Sequence, residues 1–170
     1  MDVDDYFNKN KIKDQVKKIE EKKGFFIYSN FTTVNKIKKK SYLRMKSLLP
    51  EGKISQRLLD DYFLGISTVM LKRSIFKKYK FNEKYNIIGD FDLFIKLSLR
   101  YKFLSVQKSH LIYNIHGDNL SIKKIDSYVT ELQNWINNNK RVLPNNLNLN
   151  NLKFYLIKLK IKKMLKNIFT

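Results

Sequence analysis

The chain has 170 residues, of which 43% are hydrophobic and 14% aromatic, so it can bury one sizeable core with a tail. A total of 35 Lys and Arg against 15 Asp and Glu gives a formal net charge of +20, which predicts attraction to nucleotides, nucleic acid or anionic lipid. The lack of cysteine excludes disulfides, thiolate metal sites and a cysteine nucleophile.

The first half of the chain alternates helical and strand-like patterns. Residues 10–23 carry apolar side chains at helical spacing, and Gly24 follows where a left-handed cap would end the helix. The aromatic and β-branched content of residues 25–34 predicts a buried strand, and that of residues 66–71 predicts another. A helix followed by a strand favours an α/β layer structure.

The second half continues with a helix, strands and a longer helix. From Asp92 onward, apolar residues at helical spacing predict a helix whose N-terminus holds Asp90 and Asp92. Residues 102–107 and 110–115 are short strand candidates, and residues 121–141 form a long polar helix.

A cluster of carboxylates at the start of this basic chain is the strongest sign of chemistry. Asp2 and Asp4 are one residue apart, and on a loop both can face Mg²⁺ or Mn²⁺. Such a hard cation takes oxygen ligands and can share its remaining positions with a diphosphate. The alternative is that these acids cap a helix and favour its dipole. Asp5 is expected to point away from the cation or to cap the helix that follows.

Several segments, taken in order, resemble the middle of family 2 glycosyltransferases. The opening MDVDDYFNKNKIKDQV is similar to the motif LDxDDxW followed by a helix with KxxxQV, with Phe7 in place of the tryptophan. The resemblance covers roughly residues 1–121 and continues in residues 66–73, 81–83, 89–93 and 113–121. Weak motifs in the correct order are more specific than any one of them alone.

The resemblance implies an inverting enzyme that transfers a sugar from a nucleotide-sugar donor. Asp90 would be the catalytic base that removes a proton from the acceptor hydroxyl. Asp2, Asp4 and His116 would hold Mg²⁺ or Mn²⁺, which takes up charge on the departing diphosphate, and His116 could instead contact the diphosphate. The alternatives are that Asp90 caps its helix and that His116 is solvated. Asp92 is expected to be structural.

The setting of Asp90 bears on its basicity. A helix N-terminus favours the carboxylate form, so Asp90 is expected to depend on positioning more than on a raised pKa.

The resemblance also implies a fold: an incomplete GT-A (Rossmann-like) α/β domain, with a mixed sheet flanked by helices and a C-terminal helical segment. In the family the D-x-D motif lies near the middle of the catalytic domain, so the nucleotide-binding half is expected to be absent. The expected organisation is a partial domain over residues 1–121, a long helix over 122–144, and an Asn-rich linker with a basic helix over 145–170. There are three alternatives for such a chain: a truncated product, half of a split enzyme completed by a partner chain, or a C-terminal fragment. Whether the chain is catalytically active is left open.

The last segment, residues 152–169, is apolar on one side and rich in lysine on the other. The apolar side is predicted to hold Leu152, Leu156, Leu159, Met164 and Ile168. Such a helix suits an anionic bilayer surface, and the alternative is a helix packed on the domain. No run approaches the roughly twenty apolar residues that span a bilayer, and the N-terminus does not match a secretory signal. A cytoplasmic protein is expected, which at most lies on the inner membrane surface.

The expected function is synthesis of cell-surface polysaccharide on a glycan or lipid-linked acceptor. A non-enzymatic nucleic-acid-binding module is the rival, motivated by the charge of +20 and the ten tyrosines. The lysines spread over the whole chain and no recognised nucleic-acid motif is present, so nucleic acid is not the expected partner. A catalytically dead remnant is the third alternative.

Overall fold

The computed structural model describes residues 5–117 and 119–168, and it divides the chain into two compact units. The first, the sheet unit, comprises Met1–Ile54, Phe63–Lys80 and Lys96–Gly117. The second, the helical unit, comprises Ser55–Tyr62, Phe81–Ile95 and Asp118–Thr170. The domain boundaries expected from the sequence stay a prediction.

All five strands of the described residues lie in the sheet unit and form one sheet. They are β1 Tyr6–Phe7, β2 Phe26–Asn35, β3 Lys40–Leu43, β4 Met70–Leu71 and β5 Phe103–Ile115. The order is β1-β5-β2-β3, and β4 also pairs with β2. The central strands β2 and β5 run parallel, and every other pair is antiparallel. The prediction of an α/β fold with a mixed sheet flanked by helices, of Rossmann-like type, is confirmed.

Seven α-helices and one 3-10 helix, Ile66–Thr68, complete the secondary structure of the described residues. In chain order, the α-helices are α1 Lys11–Glu21, α2 Ser55–Asp60, α3 Arg73–Lys78, α4 Gly89–Arg100, α5 Leu120–Lys123, α6 Ile125–Asn139 and α7 Asn150–Ile168. Helix α1 packs against β2 and β5 in the sheet unit, whereas α6 and α7 pack together in the helical unit. None of the helices in residues 5–117 and 119–168 has both the length and the apolar character needed to cross a bilayer.

The parallel pair β2 and β5 is the core of the sheet unit. Phe26 lies opposite Phe103, and their rings stack with centroids 3.7 Å apart. The two strands predicted over residues 102–107 and 110–115 are the single strand β5. The register between β2 and β5 shifts between Ser29 and Thr32. The pairing is therefore irregular at the polar residues in the middle of β5, but the strand continues through them.

Two other local predictions are wrong. The strand expected over residues 66–71 is a 3-10 helix, Ile66–Thr68, followed by the two-residue strand β4. The Thr68 hydroxyl donates to the carbonyl of Gly65 at 2.7 Å, a local bond that competes with sheet pairing. The left-handed residue after α1 is Lys23, with φ of 48°, and not Gly24.

Glycine at position 24 has a packing reason instead. A Cβ there would lie 2.5 Å from Cδ1 of Leu104 and 3.3 Å from Cγ1 of Ile19. The chain therefore approaches β5 closely where it leaves α1.

The adjacent residues Phe25 and Phe26 give a matched test of this core, since 43% of Phe25 is exposed and only 1% of Phe26. We expect Phe26→Ala to lower the free energy of unfolding by about 3–5 kcal/mol, because it leaves a cavity beside Phe103. Phe25→Ala should cost less than half as much, as measured by urea denaturation. Equal losses for the two variants would contradict the assigned register.

Candidate active site

Asp90 lies in the first turn of α4, within the helical unit. Its Oδ1 accepts a hydrogen bond from the backbone N–H of Phe91 at 2.8 Å. Its Oδ2 accepts one from the Tyr62 hydroxyl at 3.0 Å, and Tyr62 follows α2. The ring of Tyr62 packs edge-on against Phe91, with centroids 5.2 Å apart. A buried aromatic contact thus fixes the hydroxyl that holds the carboxylate.

The environment of Asp90 strengthens its hold on a proton. Burial raises the pKa of the carboxyl group, and the hydrogen bonds from Tyr62 and the backbone N–H groups only partly oppose this effect. The expectation that Asp90 depends more on positioning than on a raised pKa omitted burial, which raises the pKa even though the helix N-terminus favours the carboxylate. Burial, followed by the negative charge of Asp90, raises the pKa of Tyr62, so this residue acts as a neutral hydrogen-bond donor.

A second pair of tyrosines lies in the same unit. The hydroxyls of Tyr128 on α6 and Tyr155 on α7 are 3.2 Å apart. Burial, then the proximity of Tyr155, raises the pKa of Tyr128, and the charge of Asp90 adds to the effect. Two phenols with a raised pKa are therefore associated with Asp90: Tyr62, which donates a hydrogen bond to it, and Tyr128, which its charge affects.

Asp92 has a different role from Asp90. Its side chain is buried, and its Oδ1 accepts a hydrogen bond from Nε1 of Trp135 at 2.9 Å. The Trp135 ring also packs edge-on against Phe91, with centroids 4.8 Å apart. Asp92 therefore anchors the only tryptophan of the chain, in agreement with the expected structural role.

Glu131 on α6 holds the segment that precedes α4, and the sequence did not single it out. Its carboxylate accepts hydrogen bonds from the backbone N–H groups of Asn86 at 3.0 Å, Ile87 at 2.9 Å and Ile88 at 3.2 Å. These residues immediately precede α4, so Glu131 sets the position from which Asp90 emerges. A sequence signal existed: Glu131 is an acid one turn before Trp135, on a helix face that is otherwise apolar.

The predicted metal ligands are only partly described. Asp2 and Asp4 lie outside the described residues, and His116 is half-buried in the sheet unit just after β5. Within residues 5–117 and 119–168, no three His, Asp or Glu side chains form a group that could hold a metal ion. The metal site of Asp2, Asp4 and His116 stays a prediction.

The segment that follows the D-x-D pair contains Asp5, Phe7 and Lys11. Asp5 is buried and precedes β1, and Asn10 occupies the N-cap position of α1, so of the two roles expected for Asp5 the capping role is wrong. The ammonium of Lys11 lies 4.8 Å from the centroid of the Phe7 ring, which is a cation–π contact. Burial lowers the pKa of Lys11.

Two further features lie in the sheet unit. The Asp14 Oδ2 is 2.9 Å from Nζ of Lys108 and 3.1 Å from Nε2 of His110, which is buried. Burial lowers the pKa of His110, so this histidine is a neutral link between α1 and β5. A cleft of about 310 Å³ is lined by Tyr6, Phe7, Asn8, Thr32, Ser109, Leu111 and Ile112. It opens beside β1, close in sequence to the predicted metal ligands.

Comparison with known proteins identifies a relative among the glycosyltransferases. Over 125 residues the chain is 32% identical to the amylovoran biosynthesis glycosyltransferase AmsB of Erwinia amylovora. The aligned part is 68% of this chain and 40% of the relative, so the chain spans less than half of that protein's length. No protein-family model matches the chain. The similarity supports a glycosyltransferase-like chain.

Glu131→Gln tests whether this side chain positions the start of α4. We expect the free energy of unfolding to fall by about 1–3 kcal/mol, because a single amide oxygen cannot replace both carboxylate oxygens at the three N–H groups. Hydrogen exchange at the amides of residues 86–88 should accelerate. The exposed Glu20→Gln provides the control, and unchanged protection of these amides in Glu131→Gln would contradict the assignment.

Proposed function

We propose that the chain is part of an inverting, family 2 glycosyltransferase of the GT-A type that transfers a sugar from a nucleotide-sugar donor. The observation that carries this proposal is the Asp90 carboxylate, half-buried at the start of α4 with a raised pKa and a neutral phenol as its partner. The relative AmsB and the ordered motifs of residues 1–121 give independent support.

Asp90 acts as the general base. Its carboxylate accepts the proton of an acceptor hydroxyl while the hydroxyl oxygen attacks the anomeric carbon of the donor sugar. The bond between that carbon and the diphosphate breaks on the opposite side, which inverts the configuration. The raised pKa suits this task, since a base with an ordinary aspartate pKa of about 3.9 binds a proton too weakly near neutral pH.

The leaving diphosphate requires a compensating positive charge. Asp2, Asp4 and His116 would bind Mg²⁺ or Mn²⁺, and the cation supplies this charge when it is bound. The carboxylate oxygens of the two aspartates suit either metal. His116 would orient the cation or contact the diphosphate directly.

The acceptor is proposed to be a glycan or a lipid-linked glycan in polysaccharide synthesis. Support comes from AmsB, which is a glycosyltransferase of amylovoran biosynthesis. The assay uses the protein that contains this chain and supplies UDP-, GDP- or dTDP-linked sugars as donors. It measures the nucleoside diphosphate that is released. Loss of release on addition of EDTA would support the metal, whereas steeply salt-dependent binding to DNA without any release would favour the nucleic-acid-binding rival.

Asp90→Asn should abolish transfer, with a loss of at least about 100-fold, because the amide cannot accept the proton. The matched control is Asp60→Asn, which removes an exposed carboxylate from the same unit. Urea denaturation would verify that both variants fold. Turnover retained in folded Asp90→Asn would remove the base assignment.

Tyr62→Phe tests the pKa of the base. The Tyr62 hydroxyl lowers the pKa of Asp90, so its loss should raise that pKa further. Transfer requires the deprotonated carboxylate, so the acidic limb of the pH profile of kcat/KM should move to higher pH. The exposed Tyr42→Phe provides the control. An acidic limb that does not move would show that another group titrates there.

A further inference from the structure

Helix α7 has two apolar faces, and only one of them packs against the protein. Leu152, Leu156 and Leu159 recur at spacings of four and three and are buried in the helical unit. From the sequence, these three leucines share one apolar side with Met164 and Ile168, which either faces a membrane or packs on the domain. The leucines pack on the domain and are part of its core, whereas Met164 is exposed.

The opposite face of α7 carries a second apolar stripe in solvent. At 100° per residue its members fall on one side of the helix, facing away from the buried leucines. The exposed fractions are 57% for Phe154, 52% for Ile157, 52% for Ile161, 64% for Met164 and 50% for Leu165. Five large apolar side chains along three turns form a continuous patch rather than scattered surface residues.

Lysines border this exposed stripe on both sides. Lys153 and Lys160 project to one side of it, and Lys158 and Lys162 to the other. The sequence of α7 contains no Asp or Glu. The surface therefore combines an apolar strip with positive charge along both edges.

We propose that this stripe of α7 binds an anionic bilayer surface, with its axis parallel to the membrane plane. The apolar side chains enter the boundary between headgroups and acyl chains, and the flanking lysines reach lipid phosphates. Long lysine stems allow the ammonium groups to stay at headgroup level while the stripe is buried.

The charge and polarity of this surface favour an anionic bilayer over a second copy of the chain or a nucleic acid. A second copy of the chain would bring the lysine borders of two helices together with no acid on either helix to compensate. A nucleic acid would satisfy the lysines but leave the apolar stripe in water. An anionic bilayer is complementary to both features at once.

The test measures co-sedimentation of the whole chain with vesicles of phosphatidylcholine, with or without phosphatidylglycerol. We expect at least about tenfold tighter binding to the anionic vesicles, since several lysines lie near the headgroups. Replacement of both Ile157 and Ile161 by Gln should reduce binding at least about tenfold. In the control variant, Ile12 and Ile37 are replaced by Gln, because these two residues are similarly exposed but lie outside α7. This variant should bind vesicles as tightly as the unchanged chain.

Lys158→Gln combined with Lys162→Gln should weaken binding to anionic vesicles and leave the weak binding to neutral vesicles unchanged. Circular dichroism and urea denaturation would show that every variant is folded. Undiminished binding by the Ile157 and Ile161 variant would overturn the proposal, as would tighter binding to duplex DNA than to vesicles. The proposal would also be overturned if the unchanged chain ran as a dimer in gel filtration and the Ile157 and Ile161 variant ran as a monomer. None of these readouts depends on sugar transfer.

Discussion

A carboxylate removed from water must find hydrogen-bond donors, and this constraint organises the helical unit. Three acids are involved, and each has a different kind of donor. Glu131 accepts from three backbone N–H groups, Asp92 accepts from the indole of Trp135, and Asp90 accepts from the phenol of Tyr62. The bonds to Glu131 fix the loop that precedes α4, and the bond to Asp92 fixes the indole of Trp135. The bond from Tyr62 holds Asp90, the only half-buried member of the group.

Comparison with the other acids of the chain shows why Asp90 differs from them. In the sheet unit, Lys108 lowers the pKa of Asp14, and Lys18 and Ser105 lower that of Glu51 despite its burial. In the helical unit, Lys163 lowers the pKa of Asp126. Among the described carboxyl groups with a shifted pKa, Asp90 alone is raised, and no lysine contributes. In a chain with 35 basic residues, a carboxylate kept apart from lysine marks a candidate catalytic base.

The sequence singled out Asp90 as a candidate base, but it did not indicate the residues that hold it. Asp90 stands in a local motif at the start of a strongly periodic helix, so both its identity and its position could be read from neighbouring residues. Tyr62 and Glu131 are 28 and 41 positions away, and only folding brings them to α4. The raised pKa of Asp90 was missed for the same reason, because burial is a property of the folded unit.

The amino-acid sequence by itself determined the α/β class, the strands around Phe26 and Phe103, and the helices that begin near Lys11 and Gly89. These features follow from local periodicity and composition, which act over a few residues. Tertiary structure alone decided that β5 is continuous, that residues 66–68 form a 3-10 helix, and which apolar face of α7 is buried. Both faces of α7 are apolar, so periodicity could not choose between them. The choice depends on the side chains that other parts of the chain bring against the helix, and no local pattern contains that information.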